Sequence, residues 1–152
     1  MKNSLLWQVS EIKISYQNKL QAADRPRIST SSDAEGIFRT NWSEDIELLE
    51  EFNVLFLTKA NQVNGIFRAS RGGTAGTVVD AKIVFATALK ALAAALIVAH
   101  NHPSGSLVPS QSDVDLTRRL RKIGELLDIP LLDHLILAPY AGYYSFADDG
   151  TL

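Results

Sequence analysis

Hydrophobic and polar positions change period several times along the chain, and each change marks an expected element. Ile12, Ile14 and Tyr16 alternate with polar neighbours over residues 9–16, which predicts a strand with one wet face. Residues 24–32 are polar and contain a proline, so they read as a loop; Ser32 followed by Glu35 is a capping-box signature that starts a helix. Ala34, Ile37, Phe38 and Trp42 recur at helical spacing, and Ile46, Leu48 and Leu49 suggest a second helical stretch running into Glu50 and Glu51. Residues 52–58 are then apolar and aromatic over a strand's length. Residues 62–69 pair with them across the short turn 59–61, giving a β-hairpin.

Gly72, Gly73 and Gly76 break the exit of that hairpin, and Asp80 caps a helix over residues 81–95, rich in Ala, Leu and Lys. It delivers the chain to a short buried strand, residues 96–99, whose end meets His100-Asn101-His102. After the loop 103–109, Ser110 opens a helix with apolar positions at Leu116, Leu120, Ile123, Leu126 and Leu127, and Pro130 ends it. Residues 135–138 and 143–146 read as two short strands around the turn 139–142. There is no internal repeat and no low-complexity segment. The pattern predicts one α/β domain with a mixed sheet and helices on both faces.

Composition narrows what such a domain can do. The 152 residues are 46% hydrophobic and 21% charged, the proportions of a folded single domain. With no cysteine, there is no disulfide framework, no thiol nucleophile and no thiolate-bound metal; any ion must be held by nitrogen and oxygen. The longest apolar run, residues 91–99, is far shorter than the roughly 18 residues of a membrane span. No signal-peptide core opens the chain, which makes a cytoplasmic location the expectation. A net charge of −2 supplies no global field for nucleic acid. Nothing in the sequence sets an oligomeric state.

Within these bounds, His100 and His102 stand two apart at a strand end, so both imidazoles point to one side and reach one ion. Asp113 lies one turn into the next helix, where a chain reversal brings its carboxylate to them. Two His and one carboxylate leave a fourth tetrahedral position open, the ligand count of a catalytic site. Ser110 with Asp113 is also an ordinary capping box, and the two roles are compatible. Glu50 and Glu51, at the handover to a strand, are the candidates for a general base. His134, between Leu132 and Leu135 save for Asp133, reads as a hydrogen-bonding residue rather than a fourth ligand. The basic cluster Arg118, Arg119, Arg121 and Lys122 reads as a solvated helix face, with phosphate contact as the alternative.

Together these residues resemble a known family. His100-Asn-His-Pro-Ser-Gly105 followed by Ser110 and Asp113 is similar to the JAMM (JAB/MPN) metalloprotease motif, His-x-His-x(10)-Asp with a Ser three residues before the Asp. The form is that of the RadC-like branch, with which residues 72–80, 132–136 and 143–147 also agree. The resemblance covers residues 26–152 as the catalytic domain, leaving residues 1–25 as an N-terminal extension. It implies a cytidine-deaminase-like three-layer α/β sandwich and a zinc-dependent hydrolase of amide bonds in a peptide or protein substrate. His100, His102 and Asp113 would hold one Zn2+ per chain, Glu50 would be the general acid/base, and Ser110 would hydrogen-bond the oxyanion. The alternative it carries is a DNA-repair or DNA-processing role with the metal site as an accessory. About 25 residues precede the matched region and hold no glycine, which speaks against the helix-hairpin-helix segment of the branch's longer members.

Overall fold

The computed structural model describes residues 9–73, 78–140 and 142–152; Gly76 in the expected hairpin exit and Ala141 in the expected last turn lie outside the described residues. In chain order the elements are α1 (Ser31–Asn41), β1 (Glu51–Leu57), β2 (Val63–Arg71), α2 (Ala81–Lys90), β3 (Ala95–Asn101), α3 (Gln111–Leu126), β4 (Leu131–Leu137) and β5 (Tyr143–Ser145). The strands form one sheet in the order β2-β1-β3-β4-β5. Among the described strands only β3 and β4 run parallel, and α3 is the crossover that parallel pairing requires.

Side-chain alternation divides the sheet into two buried faces. Leu55, Leu57, Ala99 and Leu135 pack against Ala34 and Phe38 of α1. Val54, Phe56, Leu96 and Val98 pack against Val84 and Phe85 of α2 and Leu120 of α3. The result is the three-layer α/β sandwich expected. Coverage on both sides explains why β1 and β3 read as nearly continuous apolar runs rather than alternating ones. Burying Phe38 completely is worth roughly 1.5–3 kcal/mol, so this single ring contributes much of what holds α1 to the sheet.

Four expectations need correction, besides the start of β4, which lies at Leu131 rather than at residue 135. Residues 9–16 form no strand: Val9 and Ile12 are 90% exposed, and alternation without a partner strand or a core cannot hold an extended segment. Helix α1 starts two residues earlier than the Ser32/Glu35 signature suggests. Thr30 is the cap and Asp33 the reciprocal partner, taking the Ser29 and Thr30 N–H groups, while Glu35 instead pairs with Arg39. Residues 44–49 are turns rather than a second helix, because the Asn101 amide captures the Ile46 and Leu49 carbonyls that helix propagation would use. Finally, α2 stops at Lys90 rather than 95. Leu92 enters the left-handed region (φ 51°), and the Ala93 and Leu92 N–H groups close back on Ala88 and Leu89. No glycine announces that end.

Helix α3 ends by the same closure, with Asp128 left-handed (φ 54°) and the Ile129 N–H on the Gly124 carbonyl. Here a glycine is obligatory for a different reason. A Cβ on Gly124 would lie 2.4 Å from the Ile129 carbonyl oxygen.

Candidate metal centre

Strand β3 and its neighbour β1 run antiparallel, with Phe52 opposite His100. Alternation puts His100 on the face that α3 covers, and His102 follows two residues on, where its N–H bonds the Leu137 carbonyl of β4. Helix α3 begins over that same strand end. Its cap is reciprocal: Ser110 Oγ accepts the Asp113 N–H (3.1 Å), and Asp113 Oδ2 accepts the Ser110 N–H (2.7 Å). That double tie fixes the carboxylate with its outer edge toward the imidazoles.

The three side chains converge. His100 Nε2 lies 3.2 Å from Asp113 Oδ1, His102 Nε2 lies 3.4 Å from Asp113 Oδ2, and the two Nε2 atoms are 2.9 Å apart. One ligand atom from each falls within 4.8 Å of the others, a group that could hold a metal ion. A tetrahedral ion about 2.0–2.1 Å from each nitrogen separates its ligands by about 3.3 Å, close to these spacings. The proton inventory agrees. His102 Nδ1 faces the Ser106 carbonyl (2.8 Å), an acceptor only, so in the neutral ring Nδ1 carries the hydrogen and Nε2 presents a lone pair to the group. Lone pairs and a carboxylate pointed at one spot repel each other unless a cation lies between them.

Where no ion lies there, protons on the imidazoles take the cation's place. Burial disfavours the Asp113 carboxylate, yet its bonds to His100 and His102 outweigh that and hold its carboxyl far below the usual range. Conversely, the hydrogen bond to Asp113 raises His102 above its ordinary 6.5 against the opposing effect of burial, with the Ser106 carbonyl and the charges of Asp113 and Glu50 adding to the rise.

Glu50 and Glu51 occupy opposite sides. Glu50 lies close enough to His102 for its charge to act on that ring. Its backbone is pinned by the Gly72 N–H on its carbonyl (2.9 Å). Glu51 is 3% exposed, accepts the Ser43 hydroxyl (2.5 Å) and faces Arg71 Nε (3.5 Å). Its N–H donates to Asn101 Oδ1 (2.8 Å). Glu51 is thus engaged with Ser43 and Arg71, away from the imidazoles.

Two residues escaped sequence reading. Asn101, between the histidines, points to the other face and holds the turn that leads into Glu50, donating to Ile46 O (2.7 Å) and Leu49 O (2.8 Å). Thr117 is buried on α3 one turn after Asp113, where its hydroxyl donates to the Asp113 carbonyl (2.6 Å) and meets His134 Nδ1 (2.6 Å). A polar residue on the helical stripe that continues through Leu120 and Gly124 was the available signal. His134 itself sits behind His100, its Nε2 2.8 Å from His100 Nδ1, outside the three-residue group. Burial holds His134 well below 6.5, helped by the nearby His100 and His102 and opposed by Asp113.

In the basic cluster, Arg118 pairs with Asp115 and Arg121 with Glu125, giving a helix face of mixed charge. Among the described residues, no helix is long and apolar enough to cross a membrane.

Comparison with known proteins places the chain among relatives. Residues 28–151 match the model of the family described as RadC-like JAB domain. A UPF0758 protein of Flavobacterium johnsoniae is 50% identical over 101 residues, which are 66% of this chain and 44% of that protein. One of Porphyromonas gingivalis is 37% identical over 135 residues, 88% of this chain and 60% of its own length. A third, of Symbiobacterium thermophilum, is 41% identical over 104 residues, 68% of this chain and 44% of the relative. The chain spans about half the length of the curated relatives it matches.

Proposed function

Since the chain belongs to the RadC-like JAB domain family, a metal-dependent hydrolase-like fold, we propose that it hydrolyses an amide bond in a peptide or protein substrate with one Zn2+ held by His100, His102 and Asp113. The observation that carries this reading is the convergence of those three side chains at a strand end, with the charge of Glu50 acting on His102.

When bound, the ion would supply Lewis-acid chemistry, acidifying water and polarising a carbonyl. The chain's own groups supply the rest. Glu50 takes a proton from the attacking water and returns it to the leaving nitrogen, which needs a carboxylate that is near the ion without ligating it. Glu51 cannot substitute, being tied to Ser43 and Arg71. Ser110 accepts the Asp113 N–H through an Oγ lone pair, so its hydroxyl proton remains available to donate to a developing oxyanion. Cap and catalytic donor are then one atom.

The test is metal content followed by turnover. Purified protein should hold about one Zn2+ per chain by elemental analysis, and His100→Ala should remove it. Glu50→Gln should keep the ion and lose cleavage of a peptide or isopeptide library. A wild-type protein without stoichiometric metal after zinc reconstitution refutes the reading. A DNA-associated role would rest on the α3 cluster, whose partial pairing with Asp115 and Glu125 leaves less charge for phosphate. Salt-dependent DNA binding weakened by Arg119→Glu would be its signature.

A further inference from the structure

Behind the metal centre runs a chain of hydrogen bonds from the Asp113 carbonyl to the ring of His100. It goes from the Asp113 carbonyl to Thr117 Oγ1 (2.6 Å), to His134 Nδ1 (2.6 Å), and from His134 Nε2 to His100 Nδ1 (2.8 Å), while the other ring nitrogen, His100 Nε2, faces Asp113 Oδ1 across the place of the ion (3.2 Å). We propose that Thr117 and His134 are positioning residues that fix the proton order of His100, holding hydrogen on Nδ1 and the lone pair of Nε2 toward the ion. The inference rests on the metal-centre reading above and adds two residues to it.

Only one order of protons satisfies every link. A backbone carbonyl accepts and never donates, so the single Thr117 hydroxyl proton is committed to Asp113 O. Thr117 Oγ1 must therefore accept, and His134 Nδ1 must carry hydrogen. The His134 ring is fully buried, stacked on Phe146 (4.9 Å between centroids) and edge-on to Phe52 (5.7 Å). Among the described residues no carboxylate bonds the ring: the neighbouring Asp133 takes the Ser145 hydroxyl and the His134 and Ala147 N–H groups instead. A charged imidazolium there would have no counter-ion, so the ring is neutral and its Nε2 is a lone pair. His100 Nδ1 must then donate, which leaves His100 Nε2 as the ligand atom.

The anchor is stiff at both ends. A threonine bonding back to the carbonyl four residues earlier has its rotamer fixed by that bond and by its branched Cβ. His134 sits on β4, paired in parallel with the β3 segment that carries His100. Replace the hydroxyl by a methyl and His134 Nδ1 loses its acceptor. The ring can then hold its hydrogen on Nε2 and donate to His100 Nδ1, which turns the His100 lone pair away from the ion.

The test compares Thr117→Val, nearly the same shape without the hydroxyl, with Thr117→Ser, which restores it. Zinc affinity is measured by chelator competition, and histidine tautomers by long-range nitrogen–proton NMR on the zinc-loaded proteins. Thr117→Val should weaken zinc about 10–100-fold, and Thr117→Ser should recover most of the loss. Wild-type spectra should show His100 and His134 both protonated at Nδ1. Unchanged affinity in Thr117→Val, or His100 protonated at Nε2 in the wild type, overturns the proposal, and the wild-type spectrum decides even if the valine variant fails to fold. A wild type that binds no zinc overturns the metal-centre reading and the relay's role together, whereas zinc binding indifferent to Thr117 overturns the relay alone.

Discussion

Helices α1 and α3 begin with the same device and end up with different work. Each has a hydroxyl at the cap and an aspartate three residues on, Thr30 with Asp33 and Ser110 with Asp113, and each pair bonds reciprocally. At α1, both the Ser29 and Thr30 N–H groups fall on Asp33 Oδ2, the carboxylate is exposed, and Ser31 next to the cap bonds Tyr143 and Asp148. At α3, Asp113 Oδ2 takes only the Ser110 N–H among backbone donors, and both oxygens face imidazoles. The local motif is silent on the difference. What decides is the strand end below: β3 places two histidines under one cap, while the other stands over no such pair.

The sharpest way to break this contrast is to remove one charge from each cap while keeping an acceptor oxygen. Asp113→Asn should abolish stoichiometric zinc binding, whereas Asp33→Asn should leave metal content at the wild-type level by elemental analysis. Equal retention in both would dissolve the distinction. Next come the hydroxyls. Ser110→Ala and Thr30→Ala should each cost about 1 kcal/mol in denaturant unfolding, since each loses one cap bond. Only Ser110→Ala should also slow cleavage, by about 100-fold or more at unchanged metal content, the effect of deleting an oxyanion donor. A third change probes what stands across from the α3 cap. Asn101→Ala leaves the Glu51 N–H and two carbonyls without their partner, so urea unfolding should show a loss of about 2 kcal/mol.

How much of this was readable from residues alone follows from the range of each interaction. The strands and the three long helices were legible because they rest on periodicity, and β1 and β3 were marked by continuous apolar runs. The grouping of His100, His102 and Asp113 was legible because two spacings, one across a strand and one across a helical turn, both aim at one point. The failures are of another kind. The expected helix through Ile46 was cancelled by the Asn101 side chain, 55 positions away. The alternation near Ile12 and Ile14 looked like a strand, but only pairing makes one, and those residues join no strand of the sheet. Leu92 carries a left-handed turn with no glycine to mark it. Glu50, singled out only by resemblance, is set apart from Glu51 by partners that no spacing shows: Glu51 is held by Ser43 and Arg71, while the charge of Glu50 acts on His102.

The smallest difference between the caps should appear in acid. At Asp33, the Ser29 and Thr30 N–H bonds and the Thr30 hydroxyl bond favour the carboxylate and lower its pKa from the ordinary 3.8. Its folded value lies below its unfolded one, so the stabilisation is complete above about pH 4 and fades as pH falls through the folded value. Asp113 is shifted the same way but farther, because the two imidazoles overcome the burial that opposes ionisation. In metal-free protein followed by carboxyl-carbon NMR, Asp33 should therefore take its proton below pH 3.8 while Asp113 is still ionised. Asp33→Asn should flatten the stability profile only in that first window. An Asp113 that titrates at or above Asp33 would mean that the imidazoles do not hold its carboxylate, and the α3 cap would be no more than the cap of α1.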